Sequence, residues 1–357
     1  MSSVPERTID VRSEDTFDLE ALRSWMIGQQ ILIAGELSAR QFKGGASNLT
    51  YLIADESGAQ WVMRTPPHGT KAASAHDMGR EARVLTALSP YLNKAPKVIA
   101  FCDNDSVIGR KFYLMEYIRG HILAKEIPLE LCPDPANVRA LCESMIDSLA
   151  QLHQVDLEVT GLAELDKGPG YVQRQVEGWS QRYRAARTPD VPEAEDVMSW
   201  LAEHQPVDVT HSFIHGDWRL DNLVVDDQAE IVGILDWEMS TVGDPCMDLG
   251  AALAYWIEAD DAQEFRLLRL QPSDTPGMLT RKEVVERYSA LATDEVRESL
   301  ERNWKFYEAY GLFRLAVIIQ QIWARYCSGA TTNPQFAGYG GAVSMLMGRT
   351  QALINSA

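Results

Sequence analysis

Cysteine is scarce and scattered. The five residues, Cys102, Cys132, Cys142, Cys246 and Cys327, stand far apart and form no Cys-x-x-Cys pair, which argues against a disulfide framework and against a thiolate zinc site. No apolar run approaches the ~20 residues that a membrane-spanning helix needs. Residues 1–15 also lack a basic stretch followed by an apolar one. Basic residues are outnumbered, 33 Lys and Arg against 51 Asp and Glu, for a formal net charge of −18, and no basic stripe interrupts that excess. Nucleic-acid binders carry such a stripe, so no nucleic-acid partner is expected, and no membrane partner either. Internal repeats and low-complexity tracts are missing as well. What remains is a chain of 357 residues, 46% hydrophobic and 24% charged, a composition that points to a reduced, cytoplasmic, globular protein. At roughly 150 residues per domain its length suggests about two.

Between Gln41 and about Tyr117 short β-type runs alternate with turn residues. They are Leu49–Ile53, Trp61–Arg64, Lys97–Phe101 and Lys111–Met115. One helical segment, from about Ala75 to Leu88, interrupts them. This first part reads as a small antiparallel sheet with one main helix. From about Pro135 the period becomes helical, with further stretches near Gly170–Arg187, Ala194–His204, Asp248–Ile257, Asp260–Leu268 and Asp294 almost to Arg325. A lone hairpin, Asn222–Asp226 and Ala229–Leu235, sits among those helices. The expected fold is therefore α+β, with a β-rich lobe over 1–117 and a larger, mostly helical lobe over 118–357.

The densest polar clusters flank that hairpin. His215-Gly216-Asp217-Trp218-Arg219-Leu220-Asp221-Asn222 precedes it; Asp236-Trp237-Glu238 and Asp244-Pro245 through Asp248 follow. Phosphoryl transfer needs a group that accepts the attacking hydroxyl's proton, and hard oxygen ligands for the magnesium that bridges the nucleotide phosphates. An Asp, an Asn five residues later and a second Asp just beyond a hairpin could supply all three. On this reading Asp217 is the base, and Asn222 and Asp236 are metal ligands.

These motifs resemble those of the aminoglycoside phosphotransferase and choline kinase superfamily. The resemblance covers the chain from about residue 40. It implies a bilobal, protein-kinase-like fold and a transferase that uses ATP and Mg2+. It makes Asp217 the catalytic base, Asn222 and Asp236 the magnesium ligands, and Asp248 and His215 bracing residues of the catalytic loop. In the first lobe, Gly44, Gly45, Ser47 and Asn48 stand just before a strand, where backbone N–H groups can approach phosphates without interference from Cβ atoms. Arg64 takes the position at which kinases generally place a lysine for the α- and β-phosphates, with Glu81 as its expected partner. An arginine there can still grip phosphate through two parallel N–H bonds. The departure also leaves open a nucleotide-binding pseudokinase without turnover. The Glu116 carbonyl and the Ile118 amide fall where the family's hinge meets the adenine edge.

Within the superfamily, the segments Arg64–Gly69, Phe213–Asn222 and Asp236–Pro245 are similar to a branch of kinase domains associated with acyl-CoA dehydrogenase-like proteins. That likeness implies a small-molecule hydroxyl acceptor of the 4-hydroxyacyl-CoA type, and an acyl-CoA dehydrogenase-like enzyme in the same pathway. The alternative acceptors are aminoglycosides or choline-like amino-alcohols, which a chain at −18 would attract. Arg174, Arg182, Arg184 and Arg187 offer a local basic patch that would suit CoA instead. Tyr255, Trp256, Trp304, Tyr307, Tyr310, Trp323 and Tyr326 offer an aromatic wall for the acceptor.

Overall fold

Strand β1 (Thr8–Ile9), β2 (Leu37–Phe42), β3 (Leu49–Asp55), β4 (Gln60–Thr65), β5 (Val98–Cys102) and β6 (Phe112–Glu116) form one antiparallel sheet in the order β1-β2-β3-β4-β6-β5. The computed structural model describes residues 7–43, 48–67 and 77–356. Strand alternation sorts the side chains. Tyr51 and Ile53 of β3, Trp61 and Met63 of β4, and Phe112 and Leu114 of β6 share a core with Leu22 and Met26 of helix α1 (Leu19–Gly28). The ring of Trp25 meets Phe112 edge-on at 4.7 Å. Residues of opposite parity face the other way. Arg64 pairs in register with Tyr113, and helix α2 (Met78–Leu88) packs over β5 and β6 while burying Glu81. Asp77 starts α2 by accepting the Arg80 N–H at 3.0 Å. The sheet thus has an apolar face under α1 and a face bearing charged residues under α2. Helix α2 runs Met78–Leu88 within the expected stretch, whose start near Ala75 lies outside the described residues, and α1 adds a second helix to this part of the chain.

Contacts divide the chain into two units, Met1–Arg119 with Val232–Met239, and Gly120–Ile231 with Ser240–Ala357. The second unit holds α3 (Pro135–His153), α4 (Leu157–Thr160), α5 (Tyr171–Ala186), α6 (Glu195–Glu203), α7 (Pro245–Leu253), α8 (Gln263–Arg266), α9 (Arg281–Leu291), α10 (Asp294–Cys327) and α11 (Tyr339–Asn355). Strand β7 (Ser212–Ile214) pairs antiparallel with β10 (Thr241–Gly243). Between them, β8 (Leu223–Val225) turns at Asp226, whose N–H donates to the Glu230 carbonyl at 2.9 Å, into β9 (Ile231–Ile234). The α+β, kinase-like architecture expected from the sequence is the one observed. Helices α4, α9 and α11 lie outside the expected stretches, and two others differ from expectation. The stretch Asp260–Leu268 yields only the single turn α8, and the helix expected from Asp248 starts at Pro245 because Asp244 caps it, accepting from Cys246 N at 2.8 Å.

Helix α5 has no cap of its own. Asp208 supplies one from a distance, accepting from Gly170, Tyr171 and Val172 N–H groups at 2.6, 2.8 and 2.9 Å. Helices α7 and α10 cross at Gly250 and Gly311, where a Cβ on either would strike the other helix's backbone. Among the described residues no helix is long and apolar enough to cross a membrane, and all five cysteines are free thiols.

Candidate functional site

In the first unit the buried cation Arg64 gathers three carboxylates. Its Nη1 donates to Glu81 Oε1 at 2.5 Å, and its Nη2 lies 3.2 Å from Asp236 Oδ1 and 3.7 Å from Glu238 Oε2. Burial alone would lower the arginine's pKa, but Glu81, Tyr113, Asp236 and Glu238 more than offset it, so the group stays firmly protonated. Burial pushes Glu81 above the ordinary carboxylate range, against the pull of Arg64. Asn48, buried at the start of β3, donates from Nδ2 to Glu238 Oε2 at 3.0 Å. Asp236 adopts φ of 64°, a left-handed conformation that costs a non-glycine residue on the order of 1 kcal/mol. Its neighbours hold it there. Ile234 N donates to the Lys94 carbonyl at 2.8 Å, and the buried Trp237 returns an indole N–H to the Ile234 carbonyl at 2.8 Å. Glu116 closes β6 and donates its N–H to the Lys97 carbonyl, and Ile118 lies two residues beyond, partly buried. Gly44, Gly45 and Ser47, expected at the phosphates, lie outside the described residues, as do His68 and Gly69.

In the second unit the loop from His215 to Asn222 is braced by Asp248. One Asp248 oxygen accepts the His215 N–H and the other the Gly216 N–H, both at 2.9 Å, while His153 Nε2 lies 3.1 Å from Oδ2. Burial opposes charge on Asp248, yet the contact with His153, the His215 ring and the amide donors hold its pKa below the usual carboxylate range. His153 is itself fixed by the Tyr288 hydroxyl at 2.6 Å. Gly216 sits at φ of 80°, which lets the chain turn sharply into Asp217. The Asn222 amide donates from Nδ2 to the Asp217 carbonyl at 2.9 Å and to Asp217 Oδ2 at 3.0 Å. Both amide hydrogens are therefore used, and Asn222 Oδ1 is left as a hard acceptor. Asp217 Oδ1 stands 4.0 Å from Arg219 Nε, and the carboxylate is a quarter exposed. Arg219 grips Asp221 through both arms of its guanidinium and lies over the Tyr255 ring at 4.8 Å. Arg314 donates to the Gly216 carbonyl at 2.6 Å.

Of the residues singled out in the sequence, the structure brings together Arg64, Glu81 and Asp236 in one unit, and Asp217 with Asn222 in the other. His153, Tyr288 and Arg314 escaped the sequence reading. Arg314 did leave a signal: it is one charge inside an apolar helical run, Gly311–Gln320. The basic patch on α5 is half neutralised. Arg184 pairs with Glu195 at 2.6 Å, Arg187 with Glu193 at 3.6 Å, Arg174 bonds the Pro169 and Gly168 carbonyls, and Arg182 lies over Trp179 at 4.7 Å. Of the seven aromatics, four, Tyr255, Trp256, Tyr307 and Tyr310, are buried, and Trp304, Trp323 and Tyr326 are partly buried.

Acyl-CoA dehydrogenase family member 10 of Mus musculus is 37% identical over 303 residues, which is 84% of this chain and 27% of that protein. The chain thus spans only about a quarter of this relative's length. A solved structure from Ralstonia eutropha, described as an aminoglycoside phosphotransferase, is 31% identical with a TM-score of 0.78, covering 95% of this chain and 98% of its own. A choline kinase from Cryptosporidium parvum shares the fold at 12% identity, with a TM-score of 0.61 over 94% of this chain and 96% of its own. The sequence model of the phosphotransferase enzyme family matches residues 38–279, and the chain belongs to that family.

Proposed function

We propose that the chain is a small-molecule kinase that moves the γ-phosphoryl of ATP onto the hydroxyl of an acyl thioester, a 4-hydroxyacyl-CoA. The observation that carries the chemistry is the posture of Asp217. One of its oxygens accepts from the Asn222 amide and the other stands 4.0 Å from Arg219 Nε, on a carboxylate a quarter exposed that an incoming hydroxyl could reach, as a general base requires. The donor set suits magnesium, which takes oxygen ligands. Asp236 offers a carboxylate, and Asn222 has only its amide oxygen left to give. When bound, the ion would neutralise charge on the nucleotide phosphates. Arg64, Asn48 and the glycine turn Gly44–Gly45 with Ser47 are assigned to the phosphates, Glu81 to holding Arg64, and the Glu116 carbonyl and Ile118 amide to the adenine. The relatives named as acyl-CoA dehydrogenase family members support an acyl acceptor and a dehydrogenase-like enzyme in the same pathway. The free thiols accord with a cytoplasmic setting. The description of the Ralstonia structure favours a second reading, an aminoglycoside acceptor.

An ATP-consumption assay against 4-hydroxyacyl-CoA, kanamycin and choline tests the proposal. Asp217→Asn should lower turnover on the preferred acceptor by roughly 10²- to 10⁴-fold while nucleotide affinity is kept. Undiminished turnover in that variant would remove Asp217 from the chemistry.

A further inference from the structure

A second cation stands beside the Asp217 loop and has no carboxylate at contact distance. Arg314 is 6% exposed in the middle of α10. Its Nη2 bonds the Gly216 carbonyl, its guanidinium carbon lies 5.1 Å from the Trp179 ring centroid, and among the described residues no Asp or Glu oxygen comes within 4.0 Å. Asp217 and Asp248, with Tyr255 and Tyr310, compensate its charge only from farther away. Burying a charge without a contact partner is costly, and such groups persist where a ligand completes them. Other buried arginines do not share this position. Arg64 has Glu81, Arg219 has Asp221, and Arg110 bonds the Asp15 carbonyl and the Tyr51 hydroxyl with its remaining nitrogens sealed off. The Nε and Nη1 of Arg314 are not sealed.

We propose that Arg314 is the acceptor anchor: its guanidinium binds the carbonyl or carboxylate oxygen of a hydroxyacyl substrate whose hydroxyl reaches Asp217. This rests on the kinase reading above and narrows its acceptor. Gly216 immediately precedes Asp217, so the anchored oxygen and the reacting hydroxyl belong to one short chain. An acceptor carrying an ammonium in place of that oxygen would offer Arg314 no acceptor atom and be repelled by it.

The test is calorimetric binding to the full chain, loaded with a non-hydrolysable ATP analogue, of a 4-hydroxyacyl-CoA, the free 4-hydroxy carboxylate and choline. At least one of the two acyl probes should bind the wild type, and which one does separates thioester from acid. Arg314→Gln should weaken that binding on the order of ten- to a hundred-fold, the loss of a charge-assisted hydrogen bond, with affinity for the ATP analogue unchanged. Equal acyl affinity in variant and wild type, no acyl binding at all, or tighter binding of choline would overturn the proposal. If Arg314→Gln fails to fold, Arg314→Lys decides. A raised KM with kcat little altered supports anchoring, while a loss confined to kcat means that the residue only braces Gly216. Arg314-dependent binding without ATP consumption would leave the anchor standing and defeat the kinase reading; acyl-dependent consumption indifferent to Arg314 would do the reverse.

Discussion

Replacing Asp248 by Asn tests how the His215–Asn222 loop is held. In the wild type the buried carboxylate accepts from His215 N and Gly216 N at 2.9 Å each and lies 3.1 Å from His153 Nε2. An asparagine keeps the shape but only one acceptor oxygen, and its amide nitrogen is turned against an N–H donor. One backbone N–H is orphaned, at roughly 1–3 kcal/mol, and the surviving bond loses its charge, which about halves its strength. The sum is roughly 2–4.5 kcal/mol. In a unit of this size that amounts to a fall in Tm of about 4–18 °C. The pH dependence has a definite sign. Asp248 is held below its ordinary pKa in the fold, so its stabilisation is fully present above the unfolded value near 3.9 and disappears as pH falls through the lower folded value. Urea titrations at pH 7 and near pH 3 should therefore show a wide gap between wild type and variant that narrows in acid. A gap under about 1 kcal/mol at pH 7, or one that persists undiminished in acid, would refute the reasoning.

Arg64→Lys retains a positive charge but cannot reach Glu81 and Asp236 with two separate arms of a planar fork. It should cost about 1–3 kcal/mol in unfolding experiments and weaken nucleotide binding several-fold by calorimetry; unchanged values in both would show that charge alone suffices. Asp244 carries the opposite pH signature to Asp248. Burial pushes its pKa up to about 6, against the amide donors of Cys246, Val209 and Met247. The stability tied to its protonated form is present below the unfolded value near 3.9 and is lost as pH rises through about 6. Asp244→Asn keeps a cap for α7 without ionising, so its stability relative to wild type should improve by up to about 3 kcal/mol between pH 4 and 7. A difference that does not change with pH would contradict this account.

The sequence made local structure legible where a periodic pattern and its boundary signals coincide. Strands β3, β4 and β6 are legible as short β-rich runs bounded by turn residues, although most of their side chains are buried on both faces, and the buried Met63 and Leu114 pair in register. Helix α1 was overlooked although Leu19, Leu22, Trp25 and Met26 stand at helical spacing after the capping Asp18. Strand β2, Leu-Ser-Ala-Arg-Gln-Phe, shows no such signal. Its one fully buried side chain is Gln41, which donates to Asp15 Oδ2 at 2.8 Å, and a polar core residue satisfied by a distant acid cannot be told from a surface one in sequence. Helix α7 shows how chemistry can mask a helix start. Asp244 and Pro245 were read with the site, although a capping Asp followed by Pro at the first helical position is itself a start signal.

Legibility of the site follows the same division. Asp217 and Asn222 stand five residues apart and meet within one loop, so their relation was visible in the motif. His153 and Arg314 reach that loop from 95 and 98 residues away in sequence, respectively from Asp248 and Gly216, and only folding places them there. The arginines of α5 failed in the opposite sense. They looked like a basic patch because Glu193 and Glu195, which neutralise two of them, arrive after a turn that the sequence does not fix. The same logic governs the acceptor. A net charge of −18 suggests a protein that attracts cations, but charges beyond about 8 Å are largely screened at physiological ionic strength. Arg219 stands 4.0 Å from the Asp217 carboxylate, and Arg314 is bonded to the preceding carbonyl. An acceptor anchored as proposed would meet the Arg314 guanidinium and the Arg219–Asp221 pair before it senses the sum over the chain, so the total of −18 does not decide between an acyl group and an ammonium.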